Sequence, residues 1–121
     1  MLGACTLSLP WPPSVNHLYK VNPRTGQRFI RKSCKYFYDF CKYQRPPSRF
    51  GHNPVGVHVT FYPPDNRRYD MDNRLKALFD GLIAMGLIDD DEFITSATLR
   101  KSTPVKGGQV IVSAFLDEGG A

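Results

Sequence analysis

Apolar and polar residues alternate in two stretches of the chain. Cys5, Leu7 and Leu9 are separated by Thr6 and Ser8, the period-two pattern of a strand with one buried face. Val55, Val57, Val59 and Phe61 repeat it, interleaved with Gly56, His58, Thr60 and Tyr62. Prolines close both stretches, at Pro10-Trp11-Pro12-Pro13 and at Pro63-Pro64, because proline cannot donate to a sheet ladder. A different period follows. Leu75, Leu78, Phe79, Leu82 and Ile83 fall at helical spacing and predict one apolar stripe. Asp72 or Asn73 is expected to cap that helix at its start, and Gly86 to close it.

The remaining elements are less sharply patterned. Residues 10–31 read as a long loop with turn signals at Asn22-Pro23 and Thr25-Gly26. Residues 32–44 predict a helix crowded with Tyr36, Phe37, Tyr38, Phe40 and Tyr43 and ended by Pro46-Pro47. Phe93–Lys101 and Gly108–Leu116 predict two strands, with Gly107-Gly108 expected to mark a hairpin between them. The resulting order is β-α-β-α-β-β. The expected fold class is α+β, a small single domain over residues 1–121 with a mixed sheet packed by two helices.

Composition narrows the class without deciding it. A chain of 121 residues is long enough for one core of its own. No apolar run approaches the ~18 residues of a membrane span, and the first residues lack the basic and apolar regions of a secretory signal. Three cysteines, Cys5, Cys34 and Cys41, form no disulfide framework and suit a reducing compartment. A cytoplasmic protein with no membrane partner is expected. His17, His52 and His58 have no partners at zinc-ligand spacing.

Charge adds more. The chain carries a formal +5, unevenly spread. Residues 17–49 hold nine basic residues against Asp39, whereas residues 65–92 hold eight acids against four bases. A basic block suggests a polyanionic partner, and an acidic cluster inside a basic protein suggests a cation. Together they point to metal-dependent chemistry on nucleic acid. On that reading the first helix uses its aromatics mainly for the core and turns its lysines to phosphate; stacking on bases is the alternative.

The densest chemistry is Asp70-Met71-Asp72-Asn73, with Lys76 in the helix that follows. In extended chain Asp70 and Asp72 point the same way and can reach one ion. Asp72 and Lys76 are four apart on a helix. Asp89-Asp90-Asp91 comes after the helix. Antiparallel pairing between the strands ending at Tyr62 and starting at Phe93 would return Asp91 to this site, whereas a right-handed parallel crossover would not; the sequence leaves the pairing open. Clustered carboxylates suit Mg²⁺, and a lysine beside them can stabilise charge developing at a phosphate. Two or three aspartates and one lysine make a set suited to phosphodiester hydrolysis. The same residues also have structural uses, Asp72 as a cap and Lys76 as a partner for Asp80.

A resemblance goes further. The chain resembles the RusA family of Holliday junction resolvases across nearly its full length. The residues that carry it are Leu9-Pro10-Trp11-Pro12-Pro13-Ser14 with Asn16, then Arg67-Arg68-Tyr69-Asp70-Met71-Asp72-Asn73 with Lys76 and Phe79-Asp80, then Asp90-Asp91, and finally Thr103-Pro104-Val105-Lys106-Gly107-Gly108. The resemblance implies an Mg²⁺-dependent endonuclease, with Mn²⁺ as a substitute ion, that resolves four-way DNA junctions in recombination and repair. It implies Asp70, Asp72 and Asp91 as metal ligands and Lys76 as their catalytic partner. It places Pro13, Ser14, Asn16, Asn66, Arg67, Arg68 and Asn73 beside DNA. Two symmetric nicks need two sites, so a homodimer about the junction's two-fold axis is expected. The alternatives are a non-catalytic nucleic-acid binder and a broader branched-DNA or flap nuclease.

Overall fold

The structure is a computed structural model that describes residues 3–14, 19–30 and 32–118. Four strands form one mixed sheet: β1 (Cys5–Leu9), β4 (Val55–Tyr62), β5 (Ile94–Lys101) and β6 (Gln109–Leu116), in the order β1-β6-β4-β5. Two helices, α1 (Lys32–Lys42) and α2 (Asp72–Ala84), supply the rest of the core. The α+β class holds.

The alternating strands meet as their patterns require. β6 runs antiparallel to both neighbours, setting Val112 opposite Leu7 and Val59, and Val110 opposite Leu9 and Phe61. Val55, Val57, Val59, Phe61, Val110, Val112 and Ala114 are fully buried. They share that core with Phe37 and Cys41 of α1 and with Leu78 and Leu82 of α2. Burying a side chain of this size contributes about 1.5–3 kcal/mol. Cys5, Cys34 and Cys41 are buried, as small apolar residues would be, and no disulfide joins them. Burial pushes the Cys41 thiol up to about 12.

Four expectations need correction. Residues 10–31 are not wholly loop: β2 (Tyr19–Val21) and β3 (Arg28–Ile30) form a small antiparallel ribbon within them. The turn between its strands supplies the cause. The Asn22 side chain accepts from Arg24 N, and Gly26, at φ +70°, donates its N–H to Asn22 O. Second, β5 and β6 do not form a hairpin. They lie on opposite sides of β4, so residues 102–108 cross the end of that strand, held by Ser102 N–H to Phe61 O and Val105 N–H to Pro63 O.

Third, β4 and β5, whose pairing the sequence leaves open, are parallel and make β4-α2-β5 a crossover unit, the arrangement expected not to return Asp91, yet Asp91 reaches α2. Fourth, neither Asp72 nor Asn73 caps α2. Met71 holds the N-cap position with helical dihedrals and no side-chain cap bond. It packs against the core one residue before the expected cap. The helix end is as expected. Gly86, at φ +82°, donates to Ile83 O, and Leu87 donates to Leu82 O, the paired bonds of a left-handed glycine terminus.

Candidate active site and its relatives

The reversal at Gly86 decides where Asp91 goes. From Lys76 to Gly86 the helix advances about 15 Å. Residues 87–91, bent at Leu87 and Asp89 and bridged to Gly51 at Ile88, bring the chain back to Lys76. Phe50 N–H to Leu87 O and Asp89 N–H to Gly51 O guide that return. A 3-10 turn, Asp91–Phe93, then bulges out before β5 begins. Asp91 thus reaches α2 despite the parallel pairing, through the loop that precedes the strand.

The contact is direct. Lys76 Nζ donates to Asp91 Oδ2 at 3.2 Å, across fifteen residues of sequence, and to Asp80 Oδ1 at 3.0 Å one helical turn on. Asp80 and then Asp91 raise the affinity of Lys76 for its proton. Lys76 and then Asp90 hold the Asp91 carboxyl below its ordinary range. Lys76 remains largely exposed, so these exchanges are screened by water.

The other two expected ligands stand at the start of the same helix. Asn73 ties them together: its backbone N–H donates to Asp72 Oδ1 at 3.0 Å, and its side-chain amide to Asp70 Oδ2 at 3.4 Å. Asn73, expected beside DNA, here organises the two aspartates. Asp72 also sits in the first turn, where the helix dipole favours a negative charge. Among the described residues, no three His, Cys, Asp or Glu side chains stand close enough to enclose an ion. The structure unites Lys76, Asp80 and Asp91, and separately Asp70, Asp72 and Asn73. Lys76 occupies the space between the first group's carboxylates. All the acids offer hard oxygen atoms, so the donor chemistry suits Mg²⁺, but a closed cage is not assembled.

Apart from Asn73 on α2, the described residues expected to face DNA fall into two loops that pack together. Asp65 organises the second loop. It accepts from Arg67 N and from the Arg67 guanidinium through both its oxygens, and from the Tyr69 hydroxyl. Arg67 therefore enters any DNA contact already paired, whereas Arg68 and Asn66 are exposed. Pro13 and Ser14 follow Trp11-Pro12 in the first loop; Asn16 lies outside the described residues. Trp11 meets Tyr69 edge-on at 5.4 Å and Phe61 at 5.9 Å. Gly108 passes beneath the indole, where a Cβ would come within 2.7 Å of Trp11 Cβ.

Comparison with known proteins meets this geometry. The family model for endodeoxyribonuclease RusA matches residues 10–113. The chain belongs to the RusA family. The crossover junction endodeoxyribonuclease RusA of Escherichia coli K12 is 30% identical over 118 residues, covering 90% of this chain and 92% of that one. The protein of the same name from Enterobacteria phage 82 is 32% identical over 107 residues, covering 86% and 88%. A third, from Shigella sonnei Ss046, is 31% identical over 118 residues. The family match takes in both loops, all of α2 and the turn that carries Asp91.

Two residues of the site escaped sequence reasoning as participants. Asp80 had a signal, its i,i+4 spacing from Lys76, which reads equally as an ordinary surface pair. Arg74 had none: its guanidinium carbon lies 4.9 Å from the Trp11 ring centre, and only folding brings the two together. The aromatic helix is also more divided than expected. Phe37 is buried, but Tyr36 and Tyr43 stand exposed.

Proposed function

We propose that this protein is a crossover junction endodeoxyribonuclease that resolves four-way DNA junctions by paired nicks. The observation that carries the reading is the Lys76–Asp91 contact, because it joins two acidic segments far apart in sequence within a RusA-family chain. In this reading Asp70, Asp72 and Asp91 hold Mg²⁺, and Mn²⁺ can replace it. Bound there, the ion would lower the pKa of a water and polarise the scissile phosphate. Lys76, anchored by Asp80, presents its ammonium to the phosphate and balances charge that develops on the leaving oxygen. Asn73 holds Asp70 and Asp72 in register with each other. Arg68, Asn66 and the Pro13–Ser14 segment approach the backbone of the DNA arms.

A second copy of the chain completes the reaction. Resolution needs cuts in two opposed strands, and a two-fold homodimer would present two sites with matching symmetry. No described helix is long and apolar enough to cross a membrane. The buried cysteines, joined in no disulfide, suit work in a reducing cytoplasm, on recombination intermediates.

Asp70→Asn tests the site. Junction cleavage with Mg²⁺ should fall by at least 100-fold, while junction binding in EDTA stays equal or tightens. Cleavage at the wild-type rate would remove Asp70 from the site. Wild-type protein that binds junctions in a salt-dependent way, yet never nicks them with Mg²⁺, is a non-catalytic binder.

A further inference from the structure

Arg74 lies between Asn73 and Lys76 on α2, and its side chain turns away from the acids. Its Nη1 donates to Pro12 O at 2.7 Å. Its guanidinium carbon lies 4.9 Å from the Trp11 ring centre and 5.1 Å from that of Tyr69. Those two rings touch each other edge to face. One planar cation therefore joins three segments: the Pro10–Ser14 loop, the Asp65–Asp70 loop and the first turn of α2.

The hydrogen bond and the two ring contacts favour an arginine here, while two features oppose it. Among the described residues it has no carboxylate within ion-pair distance, and its Nε is buried without a hydrogen-bond partner. A buried donor left unpaired detracts from stability. The geometry has a sharper consequence. Tyr69 immediately precedes Asp70, and Pro12 immediately precedes Pro13. Arg74 therefore bonds the residue before Pro13 and lies over the ring of the residue before Asp70.

We propose that Arg74 is a positioning residue. It locks the proline-rich loop to the loop bearing Asp70, so that DNA seated on the first loop sets the aspartates for cleavage. The inference rests on the proposed junction cleavage, but its test has an arm that does not. Trp11 is the one tryptophan in the chain, so intrinsic fluorescence reports the clamp alone.

The experiment compares wild type, Arg74→Met and Arg74→Lys. Methionine keeps an apolar stem without the charge or the hydrogen bonds; lysine keeps the charge without the planar fork. The full chain is used throughout. In Arg74→Met, acrylamide should quench Trp11 at least twofold more readily than in wild type. The kcat for junction cleavage should fall at least tenfold and KM should change less than threefold, while the protein stays folded at the assay temperature despite some fall in its urea midpoint. Arg74→Lys should recover part of the kcat. Unchanged Trp11 quenching in Arg74→Met would show that no clamp exists. Normal kcat with altered quenching would show that the clamp does not position the site. A kcat loss matched by an equal loss of folded protein would make Arg74 merely structural. Absence of nicking by wild type defeats the proposed function, whereas the fluorescence comparison still decides the clamp.

Discussion

Asp65 shows how much one carboxylate can organise on a surface. Its two oxygens take the Arg67 guanidinium, the Arg67 N–H and the Tyr69 hydroxyl, and Tyr69 leads directly into Asp70. Hydrogen bonds from Arg67 lower the Asp65 carboxyl to about 2, against an ordinary 3.8. A depressed folded value gives stability that is present above the unfolded pKa and lost as pH falls through the folded one. The loop's order should therefore persist from neutral pH down to about pH 4 and give way as pH approaches 2. An NMR titration of the Asp65 carboxyl checks this. The midpoint should lie near 2 in wild type and return towards 3.8 in Arg67→Ala. An unshifted wild-type midpoint would mean that the bidentate pair does not form in solution. At this scale the sequence was informative about residue types and silent about partners. Asp70, Asp72 and Lys76 announce themselves by spacing, whereas the bonds of Arg67 to Asp65 and of Asn73 to Asp70 and Asp72 carry no signal in the sequence.

At the scale of elements, the helices are set by one close approach. Gly81 of α2 faces α1, and a Cβ there would stand 2.8 Å from Cys41 Sγ and 3.0 Å from the Phe37 ring. Both neighbours are buried and packed on all sides. Alanine in place of glycine favours a helix by about 1 kcal/mol, but overpacking a tight core costs about 1–3 kcal/mol. The second effect should win, because neither neighbour has space to retreat. Gly81→Ala should lower stability by about 1 kcal/mol, read as a shift in urea midpoint at constant slope. A raised midpoint would show that the helices can separate freely. Helix α2 was legible from its stripe and its terminal glycine. The β2–β3 ribbon was not: its strands are three residues each, too short for a periodic signal, and its turn chemistry alone marked the place.

At the scale of the whole molecule, sheet order governs the site. β5 forms one edge of the sheet and pairs only with β4, so the segment before it is free to bulge towards α2 and deliver Asp91. Among the described residues one chain carries a single Lys76–Asp91 contact. A proposed dimer therefore predicts a divided outcome. Wild-type and Asp70→Asn chains, carrying different tags and purified as mixed dimers, should convert four-way junctions to singly nicked products. Paired cuts should fall at least tenfold relative to wild-type homodimers. Undiminished resolution by mixed dimers would mean that one site makes both cuts in turn, or that chains exchange freely; a crosslinked mixed dimer separates these.

The sequence by itself determined the elements with strong periodicity, the buried faces of β1 and β4, the glycine terminus of α2 and the residue types able to carry phosphodiester chemistry. Those properties are local, since side-chain alternation and helical spacing act over a few neighbouring residues. Only the tertiary structure decided that β4 and β5 run parallel, that β6 lies beyond β4, that Asp91 meets Lys76 and that Arg74 joins two loops. Each of these depends on contacts between segments distant in the chain. Their energies come from shared burial and from pairings that residue order does not encode one position at a time.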